Sequence, residues 1–346
     1  MRLKSYVTKT VALGAVAIMA ATTFVGCSNE QASTGETEAE GFTVGISVAA
    51  GQNSTLQAIV EGLRAEVELA GGELIAADAQ LDIDKQIADI DTFINQGVDA
   101  IVVIPLDFPT LSNVFKRADT AGIALFGNDA VVGDDVTAEE LAPLRAQVST
   151  QRPADEIADF IEERIGGEGQ VGAIGIAAPV AQLQYFSTRF EEEMEERPSI
   201  EFIGTRGNQT DDAAGARPLA DAMFTQYPDI RAIFAYNDPS AVGASAAATA
   251  VGKRDQVVIT GFNASQDGLD GVRSGAIDAT WDYRAPDQGQ LLGRLIIASV
   301  LNGEEIGHHY PVKSLIVTSE NIDSFVSWEE RISLISSGDY EGVAID

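Results

Sequence analysis

From residue 42 onward, short apolar runs alternate with stretches of helical periodicity, and this alternation admits few architectures. Residues 42–48, FTVGISV, read as a strand. Residues 55–69 carry the apolar spacing of an amphipathic helix and stop at Gly71-Gly72. The pattern continues as strand 73–77, helix 83–95, strand 100–105, helix 110–120 and strand 123–126. The run AIVVIP at 100–105 is apolar on both of its faces, as a strand covered by helices on two sides requires. Successive strands separated by helices pair in parallel, so the pattern predicts α/β layers with helices on both sides of a parallel sheet.

The rhythm restarts near residue 150. Helices at 154–164, 182–195, 212–226 and 240–250 lead to strands at 170–176, 200–204, 231–236 and 256–262, respectively. A weak internal echo accompanies the restart. QGVDAIVV at 96–103 leads to Asp107, and YPDIRAIF at 227–234 leads to Asp238. Each is a helix end, a turn, a buried strand and then an acid beyond the strand's carboxyl end. Two similarly built lobes follow. Ligands of such sheets gather beyond the carboxyl ends of the strands, so two facing lobes make a cleft.

The first segment is an address. Arg2, Lys4 and Lys9 precede an apolar stretch at 11–25, too short for a spanning helix and suited to a secretory signal. It ends in Phe24-Val25-Gly26-Cys27, which resembles the bacterial lipobox with Phe24 where Leu is usual. That resemblance implies acylation of Cys27, the one cysteine of the chain, after removal of residues 1–26. Residues 28–41, SNEQASTGETEAEG, have almost no apolar content and read with Cys27 as a flexible tether over 27–41. The expected location is extracytoplasmic, lipid-anchored at the cell surface or in the periplasm. A lone cysteine gives no intramolecular disulfide, and no Cys/His cluster suggests zinc. The formal charge of −31 is spread along the chain and repels nucleic acid and bare anionic membrane.

Several short segments carry a family resemblance: GVDAI at 97–101, AIFAYND at 232–238 followed by Gly243, GFN at 261–263, ATW at 279–281 with PDQ at 286–288, and YPV at 310–312. In this order and spacing they resemble the ribose/galactose-type periplasmic binding proteins, the type I solute-binding fold, over residues 42–317. The resemblance implies two Rossmann-like lobes with parallel sheets joined by three hinge crossings, near 149–151, 283 and 312–315. It divides the body into an N-terminal lobe of 42–149 plus 285–313 and a C-terminal lobe of 150–284 plus 314–346. Residues 318–346 extend past the usual end, and no function is assigned to them. The implied activity is capture of a small polar ligand, a sugar or polyol, for an ABC importer. The implied partners are a membrane permease and its ATPase subunit, with the binding protein itself a monomer.

Sugars call for planar amides and carboxylates to hold paired hydroxyls and for aromatic faces to meet the ring. The resemblance places ligand contacts at Asn53, Asp129, Gln184, Tyr185, Asn237, Asn263 and Tyr283. Departures from the family pattern accompany them. Thr55 and Leu56 replace aromatics, Ala130 stands where an Arg often follows the acid, Asn263 replaces Asp, and Tyr283 replaces Gln. Asn53 equally suits a helix N-cap, Asp238 a cap ahead of Pro239, Gln182 an exposed helix face, and Trp281 either a stacking platform or core. Asp282 or Arg284 is an alternative cleft-facing group beside Tyr283. The set is poor in Arg and rich in amides, which favours a neutral ligand.

Other classes fit less well. Gly243-Ala244-Ser245-Ala246 brushes a nucleophile elbow, but Ser245 falls within a helix, and the two histidines, His308 and His309, are adjacent in a loop. No catalytic residue, cofactor or metal is therefore expected. No GxxxxGK[ST] is present, so ATP hydrolysis belongs to a partner. A sugar-responsive repressor needs a basic N-terminal DNA-binding motif where this chain has an export signal. A chemosensory or sensor-kinase role uses the same closed form and is the nearest alternative. A carbohydrate-active enzyme is more distant.

Overall fold

The computed structural model describes residues 41–133 and 136–345; the leader, Cys27 and the tether up to residue 40 lie outside the described residues. The first half of the body builds strands β1 (Thr43–Val48), β2 (Glu73–Asp78), β3 (Ala100–Val103), β4 (Ala124–Asn128) and β5 (Ala146–Gln151). Between them run helices α1 (Ser54–Leu69), α2 (Ile83–Gln96), α3 (Ser112–Thr120) and the single turn α4 (Ala138–Leu141). The second half adds α5 (Ala154–Ile165), β6 (Gly169–Ile176), α6 (Ala181–Glu195), β7 (Ile200–Asn208), α7 (Ala213–Gln226), β8 (Ile230–Ala235), α8 (Asp238–Ala250), β9 (Val258–Thr260), α9 (Gln266–Ser274) and β10 (Ala279–Asp282). Then come α10 (Ala285–Ile296), β11 (His309–Lys313), β12 (Leu315–Thr318) and α11 (Trp328–Ser337).

These strands form two sheets, ordered β11-β5-β4-β3-β1-β2 and β12-β10-β9-β8-β6-β7. Every ladder is parallel except β10 with β12, which is antiparallel. The fold is thus two α/β lobes with predominantly parallel sheets. The chain changes sheet at 151–154, 282–285 and 313–315.

Two strands differ from their expected lengths for local reasons. β3 ends at Val103 because Pro105 has no N–H to continue the ladder, the last donor being Ile104 to Ser47 O at 3.0 Å. β7 runs on to Asn208, past the Gly204 that reads as its end. The register with β6 shifts between Val171↔Phe202 and Ala173↔Thr205, so β7 carries one extra residue there. Gly204, at φ 90°, absorbs that bulge and the strand resumes beyond it.

The core follows the apolar pattern: all four residues of β3 are buried, and Trp281 is fully buried with its ring edge-on to Phe160 at 5.5 Å. Trp281 is therefore core and not a platform in the cleft. In the first lobe α10 lies directly on α1. A Cβ at Gly62 would sit 2.2 Å from Pro286 O, and one at Gly289 would sit 2.0 Å from Ile59 O, so both glycines let the backbones touch. The segment after β12 departs from the expected division, which put all of 314–346 in the C-terminal lobe. β12 does join the second sheet, but α11 packs against α1 and α10.

Candidate functional site

The carboxyl ends of β4, β5 and β10 meet at the hinge. Asp129 follows β4 in the left-handed region, at φ 45°, which turns its carboxylate back onto β5. Oδ1 accepts from Thr150 N at 2.8 Å, and Oδ2 accepts from Arg152 Nη2 at 2.9 Å and from Tyr283 O–H at 2.7 Å. Burial, reinforced by the Asp129 charge, pushes the Tyr283 hydroxyl well above the ordinary tyrosine value, so it stays protonated and donates. Gln288 completes the knot. Its Nε2 donates to Thr150 Oγ1 at 2.8 Å and to Tyr283 O at 2.7 Å, and its Oε1 accepts from Asn128 Nδ2 at 2.8 Å. Arg152 supplies Asp129 with the cation that Ala130 cannot. Its Nε is buried without a hydrogen-bond partner among the described residues, leaving an unused donor.

Beside this knot lies a cavity of about 220 Å³. Its wall brings Asp129 and Arg152 together with Gln182, Tyr185 and Arg189 of α6 and with Lys313. Each cation on the wall has a carboxylate. Arg152 pairs with Asp129, Arg189 with Glu193 at 3.3 Å and with Glu192, and Lys313 with Glu156 at 2.7 Å. The wall is rich in hydrogen-bonding groups, and among its described residues no positive charge is uncommitted.

A second polar cluster sits beyond the carboxyl ends of β7 and β8. Asn237 is the N-cap of α8, its Oδ1 accepting from Ser240 N at 2.9 Å, while its Nδ2 donates to Asp211 Oδ1 at 2.7 Å. Tyr236 O–H donates to the same oxygen. Asp211 is exposed at φ 58°, and partial burial of its carboxylate raises its pKa against the lowering effect of the Tyr236 and Asn237 bonds. Asp238, the first residue of α8, does not cap. It is fully buried and accepts from Thr280 Oγ1 at 2.6 Å, Ser265 N at 2.8 Å and Ser265 Oγ at 2.9 Å, with burial pushing it up to about 7.

The remaining expected contacts are placed apart. Asn53 is exposed and caps α1, accepting from Thr55 N at 2.9 Å and Leu56 N at 3.2 Å. Gln184 is exposed and off the cavity wall, which Gln182 and Tyr185 of the same helix do line. Asn263 is half-buried at φ 112°, its N–H on Trp281 O and its carbonyl on Tyr283 N–H. Asp282 and Arg284, the alternatives to Tyr283, turn away from the knot. Trp328 Nε1 donates to Asp282 Oδ1 at 3.0 Å, and Arg284 pairs with Asp287 at 2.6 Å. Sequence reasoning missed Arg152 and Asp211. Arg152 follows the first hinge strand directly, and Asp211 opens the Asp-Asp pair before α7 at the carboxyl edge of a sheet; those positions were the available signal.

Ser245 is buried within α8. His309 Nε2 contacts Ser149 Oγ at 2.7 Å, and His308 Nδ1 contacts Arg145 O at 3.2 Å. No group of three metal-ligating side chains occurs among the described residues.

Two doubly wound lobes, tied by short crossings and carrying polar clusters at their carboxyl edges, define the two-lobed binding-protein class. A model of the periplasmic binding protein domain matches residues 44–305, and the chain belongs to that family. It is 27% identical over 280 residues to the ribose import binding protein of Bacillus subtilis (strain 168), spanning 77% of this chain and 83% of the relative. It is 26% identical over 318 residues to a xylitol-binding protein of Mycolicibacterium smegmatis, spanning 90% and 86%. Among solved structures, a periplasmic solute-binding protein of an ABC transporter from Actinobacillus succinogenes, with bound D-allose, superposes with a TM-score of 0.74 at 22% identity. The match covers 82% of this chain and 100% of the other, and it carries the fold.

Proposed function

We propose that this chain is the extracytoplasmic substrate-binding lipoprotein of an ABC importer. It captures a neutral sugar or polyol between its lobes, delivers it to a membrane permease and catalyses no reaction. The observation that carries the ligand class is the charge balance of the cavity wall, where Arg152, Arg189 and Lys313 each hold a resident carboxylate. An anionic ligand must displace one of those carboxylates to gain a cation. A hydroxyl donates and accepts without needing net charge. The named ligands of the curated relatives, ribose and xylitol, are polyhydroxylated and neutral. Arg152, through its unused Nε, serves the ligand at the hinge, where Tyr283 holds Asp129 in place. Tyr185, Gln184, Asn237, Asp211 and Asn263 serve it from the second lobe, and Asn53, on the first lobe, is reached as the lobes approach. Ligand that touches both lobes shifts the population to the closed form, which the permease then receives.

The test is thermal unfolding of residues 28–346 against pentoses, hexoses, polyols, amino acids and sugar phosphates. A ligand of the folded state at a hundredfold excess over Kd adds roughly 2.7 kcal/mol. A rise in Tm with one neutral sugar or polyol is expected. Stabilisation by an anion, with none by any sugar or polyol, would overturn the assignment.

A further inference from the structure

The segment following β12 makes a connection that three hinge crossings do not require. Ile322 is buried in the apolar core of the second lobe and Phe325 packs against it. Three residues later α11 begins, and it lies on α1 and α10 of the first lobe. The chain therefore passes between the lobes a fourth time.

The crossing is pinned at the hinge. Arg331 of α11 is 4% exposed, and its Nη1 lies 2.6 Å from Asp282 Oδ2 and 2.9 Å from Asp287 Oδ2. The contact with Asp287 is an aligned hydrogen bond, and the closer one with Asp282 is an ion pair without that alignment. Asp282 ends β10 in the second lobe, Asp287 lies in the first turn of α10 in the first, and both are fully buried. Between them runs the hinge, Tyr283 and Arg284, with Arg284 at φ 57°. The strap is held along its length. Trp328 Nε1 donates to Asp282, Tyr340 O–H donates to Asp287 Oδ1 at 2.9 Å, and Gln290 and Arg294 of α10 both bond Tyr340 O at 3.1 Å.

We propose that residues 319–345 form an interlobe strap in which Arg331 is a positioning residue for ligand capture, holding the hinge at the angle where both buried carboxylates reach one guanidinium. The physical reason is the asymmetry of buried charge. Swinging the lobes apart at 282–287 with Arg331 held on Asp287 draws Asp282 off the guanidinium and leaves it buried without an ion-pair partner, whereas Asp287 keeps Arg284; that loss is far costlier than losing an exposed ion pair. The strap thereby narrows the range of lobe angles in the unliganded protein. It raises the fraction competent to bind, on which the apparent Kd depends. The affinity consequence rests on the ligand-capture reading; the angular one does not.

The experiment measures lobe-to-lobe distances by double electron–electron resonance. Spin labels go on Lys116→Cys in α3 and Asp229→Cys before β8, both exposed positions, with Cys27→Ser throughout. Arg331→Met removes the shared cation and Arg331→Lys keeps the charge without the fork. The expected result is a narrow distribution for Arg331, a broad one for Arg331→Met, and an intermediate one for Arg331→Lys. The Kd of whichever sugar or polyol binds should rise at least threefold in Arg331→Met and recover in part in Arg331→Lys. An unchanged width in Arg331→Met overturns the proposal, as does an unchanged width in Arg331→Lys should the Met variant fail to fold. If no sugar or polyol binds even the parent protein, the ligand assignment fails, while the distance distributions still decide the role of the strap.

Discussion

Asp129 shows how a single residue can keep its place and change its work. The family resemblance makes it a ligand carboxylate, yet its oxygens already accept from Thr150, Arg152 and Tyr283. Its position was legible in the sequence. Its partners were not, because Arg152 lies 23 residues away and Tyr283 lies 154 away, and only the hinge brings them together. Removing the cation is the severe change. Arg152→Ala leaves a buried carboxylate uncompensated and should destabilise by about 3–5 kcal/mol. Tyr283→Phe deletes one hydrogen bond and should cost about 1 kcal/mol. Urea unfolding of the two variants checks the ranking, and equal losses would contradict it. Asp238 supplies a pH signature. Its folded value, about 7, is raised by burial above the ordinary 3.8, so the folded state holds this proton more tightly than the unfolded chain. The stability it contributes is fully present below about pH 4 and is lost as pH rises through about 7, a change on the order of a few kcal/mol. Asp238→Asn removes that dependence, so the variant should gain on the parent between pH 4.5 and 7.5. A constant difference in urea midpoint across that window would show that Asp238 does not titrate there.

At the scale of elements, alternation located most of the strands and helices as far as β9, because each depends on its own apolar period. Contact between elements was harder to read. The α1–α10 interface joins Gly62 to a helix more than two hundred residues later, and no local pattern marks those two glycines as points of backbone contact. Gly289→Ala puts a methyl where Ile59 O lies 2.0 Å away and must push the helices apart. The expected loss is about 1–3 kcal/mol, typical of overpacking, seen as a lower Tm. An unchanged Tm would mean that the helices slide freely at this contact. The bulge in β7 is of the same kind: Gly204 reads as a strand end locally, and only pairing with β6 makes it a strand interior.

For the whole molecule, the proposed lipid anchor and the proposed strap lie at opposite ends of the sequence. The lipobox-like Phe24-Val25-Gly26-Cys27 lies outside the described residues, and the proposed lipoprotein reading puts the protein at a membrane surface through it. More than one acyl chain on Cys27 gives stable attachment, so the parent should sediment with membranes after a high-salt wash and Cys27→Ser should be released. Retention of Cys27→Ser on the membrane would place the anchor elsewhere. At the other end, Arg331 and α11 tie the lobes across the hinge, a role the unassigned residues 318–346 did not announce.

The sequence by itself determined the α/β class, the two-lobe repetition and the polarity of the strand ends. These follow from local periodicity and composition, which each segment carries within itself. The tertiary structure alone decided which polar groups are spent on one another and which are left without a protein partner. It turned Asn53 and Asn237 into caps, Asp129 into a hinge acceptor, Asp282 and Asp287 into partners of Arg331, and left the Nε of Arg152 unused. The physical reason is that a buried polar group must find a partner somewhere, and the partner is chosen by proximity in space, which residue order does not reveal.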